Sequence, residues 1–140
     1  MNNDSQKSHE DYVKVADVMT SSVHKIGSMS TVREAVSLLR EHGIRALVVD
    51  RRDASDEYGL VAVVDIAREV IGKNLSPDRV NVYEIMTKPV LSLPADMNIV
   101  YAVRMLSRFH LTRAVVIDAE RHPVGIVTLR DMVIRHIGDE

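Results

Sequence analysis

The chain has 140 residues, 46% hydrophobic but only 4% aromatic, with no cysteine, no tryptophan and a formal net charge of −2. That length makes one compact domain or two small, interdependent halves, with a core of Val, Ile, Leu, Ala and Met. The lack of cysteine excludes disulfides, thiolate nucleophiles and zinc–thiolate sites and is compatible with a reducing cytosol. The charge gives no overall pull toward nucleic acid, and the longest apolar runs are far short of a membrane span.

Residues 1–11 are polar and lack the apolar stretch of a signal peptide, which predicts a disordered tail on a cytoplasmic protein. Residues 15–19 predict a short helical turn and residues 23–26 a strand leading to Gly27. Thr31 opens a helix to about His42 that buries Val32, Ala35, Val36, Leu38 and Leu39; Thr31 and Glu34 are spaced as a capping box, and Gly43 is the stop. A buried strand over 46–49, a charged loop over 50–57, a strand over 58–63 and a helix over 64–71 complete the first half. Residues 72–79, with Lys73, Asn74, Ser76 and Pro77, punctuate the chain.

The second half replays this order. A turn over 82–86 leads through Pro89 to a strand over 90–93, and a helix over 98–110 buries Ile99, Val103 and Leu106. Strands over 114–117 and 124–127 flank a tight turn at 119–122, and a helix follows from Leu129 to Ile137. Met19, Asp50 and Asp65 recur as Met86, Asp118 and Asp131 at offsets of 67, 68 and 66 residues, and Arg45-Ala46 recurs as Arg113-Ala114. Offsets held this closely define an internal repeat. The chain therefore divides into a tail over 1–11, a first repeat over 12–72, a linker over 73–81 and a second repeat over 82–140. Each half is strand, helix, strand, strand, helix, an α/β (α+β) unit too small to be comfortable alone.

The motif that closes the second half is Gly125-Ile126-Val127-Thr128-Leu129-Arg130-Asp131. A strand that ends where a helix begins offers unpaired N–H groups and a partial positive charge, a place to hold a polar, anionic ligand. Thr128 and Asp131 are equally spaced as a capping box that needs no ligand, worth roughly 1 kcal/mol. The first half carries Gly59-Leu60-Val61-Ala62-Val63-Val64-Asp65, with Ala62 where Thr128 stands.

The Val/Ile-Met-Thr openings, the Val-Val-Asp and Val-Ile-Asp strand ends, and the Gly-apolar-apolar-Thr-x-x-Asp close, duplicated in order, resemble a tandem pair of CBS domains, the Bateman module. The resemblance covers residues 15–137. It implies two β-α-β-β-α repeats packed as a pseudo-twofold pair, with adenosine-containing ligands in the clefts between repeats: AMP, ADP or ATP, or in some members NAD or S-adenosylmethionine. By position it implies ribose binding by Asp131, Asp65 and Thr128, phosphate binding by Arg113 and Arg45, and an adenine pocket from Met19, Thr20, Val23, Met86, Thr87, Val90 and Gly125. A carboxylate takes both hydroxyls of a ribose diol, and a charge-assisted hydrogen bond is worth roughly 1.5–3 kcal/mol. Lacking the hydroxyl, the Ala62 site is expected to be weaker, empty or differently used.

The six histidines show no metal-ligand spacing, and no nucleophile elbow, phosphate-binding glycine loop or zinc-protease motif occurs, so neither a metal, an obligatory cofactor nor an enzyme is expected. Three readings follow: an adenine-nucleotide sensor signalling to an unidentified partner protein; a ligand-free homodimerisation scaffold using helix faces near 35–39 and 100–106; and a nucleic-acid binder, which the charge and the scarcity of stacking aromatics disfavour. The complete Thr-x-x-Asp pattern favours the first.

Overall fold

The computed structural model of the protein describes residues 12–138. The expected tail over 1–11 lies outside them. The elements follow the anticipated order: α1 (Val15–Val18), β1 (Lys25–Ile26), α2 (Val32–His42), β2 (Ala46–Val49), β3 (Gly59–Ala62), α3 (Val63–Ile66) running on as a π-helical turn Ala67–Ile71, a 3₁₀ turn Val82–Glu84, β4 (Ser92–Pro94), α4 (Ile99–Arg108), β5 (Arg113–Ile117), β6 (Pro123–Thr128) and α5 (Leu129–Gly138).

Two three-stranded sheets form, β1-β2-β3 and β4-β5-β6, each with its first pair parallel and its second antiparallel. Their strands are short and aliphatic. The helices that cover them start and stop where the sequence signals them. Thr31 Oγ1 accepts a hydrogen bond from the Glu34 N–H at 3.2 Å, and Asn98 Oδ1 accepts one from the Val100 N–H at 2.9 Å. Gly43 closes α2 in the left-handed region, φ +62°, a conformation that costs glycine nothing. At the equivalent end of α4, His110 adopts φ +56°.

The compact units cut across the sequence repeats. One unit joins residues 12–22 to residues 91–138; the other is Val23–Val90. In the first unit, Val15 is fully buried with Leu93, Ile99, Leu106, Val127 and Met132, and Thr20 pairs with Ile126 through two backbone bonds of 2.8 and 3.0 Å. In the second, Val82 is fully buried with Leu47, Val49, Val61 and Val70, and Thr87 pairs with Leu60 at 2.8 and 3.0 Å. Each opening segment has thus been handed to the sheet of the opposite repeat. Burying Val15 or Val82 is worth roughly 1.5–3 kcal/mol, which fixes the exchange.

No helix among the described residues is long and apolar enough to cross a membrane.

Candidate functional site

In the unit built on the second sheet, β6 ends at Thr128 and α5 begins at Leu129, whose N–H donates to the Thr112 carbonyl at 2.9 Å. Thr128 Oγ1 accepts a hydrogen bond from the Asp131 N–H at 3.1 Å, so the hydroxyl caps the helix. The carboxylate does not reach back. Its one partner among the described residues is Arg130, with Nη1 3.8 Å from Oδ1, and the two side chains are 73% and 36% exposed. A pair so wet is worth little, and the carboxylate oxygens stay available to a ligand.

Gly125 lies on the same strand against the exchanged segment. A Cβ there would come within 3.0 Å of Met19 Sδ and Cγ and of the Thr20 carbonyl oxygen. The glycine is therefore what allows Met19 and Thr20 to lie flat on β6. Arg113 stands directly across from Thr128 in the β5–β6 register, so the two side chains share a face. Thr128 and Arg113 share one face of β6 beside Asp131, whereas Gly125 and the Met19 side chain against it lie toward the other face and Thr20 pairs along the strand.

The corresponding junction in the other unit is wired differently. Asp65 Oδ2 accepts a hydrogen bond from the Ala62 N–H at 2.8 Å. This is the other half of a capping box: at Thr128 the hydroxyl accepts the N–H of residue 131, and here the carboxylate accepts the N–H of residue 62. Met86 Sδ is again the atom a Cβ on the strand glycine, Gly59, would meet, and Thr87 again pairs with the strand. Beside it, Lys88 Nζ binds Asp56 Oδ1 at 2.6 Å, and Asp56 Oδ2 accepts from the Arg52 N–H at 2.9 Å. The Asp56 side chain is 13% exposed, and Lys88, followed by the Arg52 N–H, holds its carboxyl well below the usual carboxylate range.

Arg45 and Arg113 do not occupy equivalent positions. Ala46 pairs with Ala62 while Arg113 pairs with Thr128, and the Arg45 carbonyl accepts from Val63 N–H as Thr112 does from Leu129 N–H. The structural offset on this strand is one residue less than the shared Arg-Ala dipeptide indicates. Because side chains alternate along a strand, that single step puts the two arginines on opposite faces. Val23 is likewise separated from Met19 and Thr20: it belongs to the unit of Asp65, with Met86, Thr87 and Val90. Among the described residues, no group of three or more His, Asp or Glu is arranged to hold a metal.

Comparison with known proteins gives a consistent result. The CBS domain profile matches residues 15–72 and 82–136. An uncharacterized protein of Methanopyrus kandleri is 27% identical over 86% of the chain, which spans 61% of that relative's length. The hexameric CBS-CP12 protein of bloom-forming cyanobacteria has 31% identity and a TM-score of 0.83, over 89% of this chain and 68% of its own. A further CBS domain pair, crystallised with 5′-methylthioadenosine and S-adenosyl-L-methionine, has 25% identity and a TM-score of 0.75, over 92% of this chain and 99% of its own.

Proposed function

Since the chain belongs to the CBS-domain family, of which it carries two copies, we propose that it is a regulatory, non-enzymatic module that binds an adenosine nucleotide at the Asp131 half-site and signals to a partner protein. The observation that carries this reading is the Asp131 carboxylate, which, unlike that of Asp65, accepts no backbone N–H among the described residues and has one exposed arginine beside it. A carboxylate in that state accepts two hydrogen bonds from a ribose diol without first breaking one of its own. The adenine pocket is assigned to Met19, Thr20 and Gly125, and the phosphate contact to Arg113, whose planar fork suits phosphate. Val23, Met86, Thr87 and Val90, with Asp65, form a second half-site of lower affinity, from which Arg45 is turned away by its one-step shift in register.

The relative crystallised with 5′-methylthioadenosine and S-adenosylmethionine supports an adenosine ligand, since both of those molecules carry adenine and the ribose diol. It leaves AMP, ADP, ATP, NAD and S-adenosylmethionine as alternatives separated by Arg113. Calorimetric titration with AMP, then ATP, NAD, S-adenosylmethionine and 5′-methylthioadenosine, tests the reading. Micromolar binding, about −8 kcal/mol, of a phosphate-bearing ligand that Arg113→Ala weakens and of a phosphate-free one that it does not is the expected pattern. Absence of heat from all five, in protein free of co-purified nucleotide, rejects it.

A specific surface also favours self-association. An open apolar groove of about 360 Å³ lies against Val36, Leu39, Ile44, Val63, Ile66 and Ile71. Val63 is 50% exposed and Ile71 74%. A second copy that covers this groove makes the homodimer that family members form, and a monomer mass by light scattering across micromolar concentrations rejects it.

A further inference from the structure

The outer face of α4, part of the 100–106 face that a homodimerisation scaffold would use, takes no part in the adenosine site. Its buried side is Ile99, Ala102 and Leu106; its outward side is Val100, Tyr101, Arg104, Ser107 and Arg108, with Phe109 at the cap. Tyr101 is 56% exposed and Phe109, the only phenylalanine of the chain, 53%. The Arg104 guanidinium lies 5.4 Å from the centre of the Tyr101 ring, which orders it at the surface. No acidic residue occurs anywhere from Met97 to Ile117.

The fold does not ask for this composition. The equivalent helix α2 carries Arg33, Glu34, Arg40 and Glu41, mixed in sign, and Arg33 is paired with Asp78. On α4, Arg104 and Arg108 stand one turn apart with no ion pair among the described residues, an arrangement that weakens a helix by a few tenths of a kcal/mol. Exposed aromatic residues interleaved with arginine, without lysine, are the composition of binding hot spots in protein interfaces.

We propose that the Tyr101–Arg104–Arg108–Phe109 face of α4 is a docking surface for an acidic, apolar-flanked segment of a partner polypeptide. Charge complementarity selects the occupant. Two arginines about 6 Å apart along the axis match carboxylates one helical turn apart, and Tyr101 and Phe109 at the two ends take apolar side chains. Arginine here offers a bidentate fork to each carboxylate. The surface works independently of the adenosine site, so it is tested on ligand-free protein.

The probe is a fluorescein-labelled helical peptide of alternating Glu and Leu positions, with glutamates at i and i+4, titrated by anisotropy against the full chain. Binding is expected at low salt, weakened about tenfold by the double charge reversal Arg104→Glu with Arg108→Glu, and weakened in the same direction by Tyr101→Ala and by added salt. The same reversal on α2, Arg33→Glu with Arg40→Glu, is expected to leave it unchanged. Circular dichroism and the binding of AMP by the α4 variants establish that they remain folded. No peptide binding at low salt, or equal binding by the α4 and α2 reversals, overturns the proposal. A single-stranded RNA oligomer binding more tightly than the peptide through the same arginines also overturns it, in favour of a nucleic acid.

Discussion

The two strand-to-helix junctions carry the same glycine, the same apolar run and the same acid, yet only one leaves its acid unoccupied. At Thr128 the hydroxyl takes the first-turn N–H, and Asp131 has only Arg130 beside it among the described residues. At Ala62 no hydroxyl exists, and Asp65 turns back to accept the strand's last N–H at 2.8 Å. The junctions therefore differ twice, in the strand-end hydroxyl and in the use of the carboxylate three residues on. A carboxylate that accepts the N–H of the strand end is not available to a ligand, so capping and ligand binding compete for the same acid.

This contrast is broken most directly at the acids. Asp131→Ala is expected to weaken AMP binding at least 100-fold, the loss of two charge-assisted hydrogen bonds at roughly 1.5–3 kcal/mol each, with little change in urea stability. Asp65→Ala is expected to do the reverse: affinity within about threefold, and stability lower by about 1 kcal/mol as the buried Ala62 N–H loses its acceptor. Equal losses of affinity from the two substitutions would show that both junctions bind, and the contrast would fail.

The glycines sharpen it next. At Gly125 an added Cβ meets the Thr20 backbone oxygen as well as Met19, whereas at Gly59 the close atom is the end of the flexible Met86 side chain. Gly125→Ala is expected to destabilise by about 2 kcal/mol, and Gly59→Ala by less than about 1 kcal/mol. Urea unfolding with an unchanged m-value measures both; the opposite ranking would mean that the Met19 segment yields more easily than its counterpart.

A third difference is the Lys88–Asp56 strap, to which the loop after β5 has no counterpart among the described residues. The carboxyl of Asp56 is depressed, so the folded unit keeps it ionised where an unfolded chain, titrating near about 3.9, takes up protons. The stabilisation is complete above that value and is lost as pH falls through the folded one. Lys88→Met is expected to lower stability at neutral pH, with the gap to wild type closing as pH approaches about 2; a gap independent of pH would mean that the strap stabilises by packing and not by charge.

The order of elements was legible because periodicity and caps are local. Thr31, Gly43 and Asn98 mark helix ends through hydrogen bonds made within a few residues. The exchange of the opening segments was not, since Thr20 with Ile126 and Thr87 with Leu60 are long-range choices that leave every repeat offset unaltered. The arginine register is hidden for a related reason: Arg-Ala recurs in the sequence one step out of phase with the strand pairing, and shared letters carry no signal of which face a side chain takes. The helix after β3 was anticipated over 64–71, but the Gly72 N–H reaches the Ala67 carbonyl at 2.7 Å, which widens its last turn into a π-helix. The hydroxyl that Thr128 has and Ala62 lacks is legible in the sequence. The bond from the Ala62 N–H to the Asp65 carboxylate is not, since the same acid three residues after the strand end is unbonded to the backbone at Thr128.

The smallest expected effect is the one that bears most closely on that bond. Thr128→Ala converts the second junction into the composition of the first, and the cap it removes is worth about 1 kcal/mol. If the acid is interchangeable between roles, Asp131 swings back to the backbone N–H of residue 128 and recovers part of that loss, so the measured destabilisation falls below the usual value for a lost threonine cap. The same swing withdraws the carboxylate from the ligand. AMP affinity should then drop about tenfold, about 1.4 kcal/mol, at the top of the roughly 0.5–1.5 kcal/mol that one neutral hydroxyl contact explains. Adding Asp131→Asn to Thr128→Ala gives the cycle that separates the two contributions. Coupling in both stability and affinity, with opposite sign, is the signature of one carboxylate divided between two tasks; additivity in both would mean that Asp131 stays where it is and that Ala62 is not the reason Asp65 turned inward.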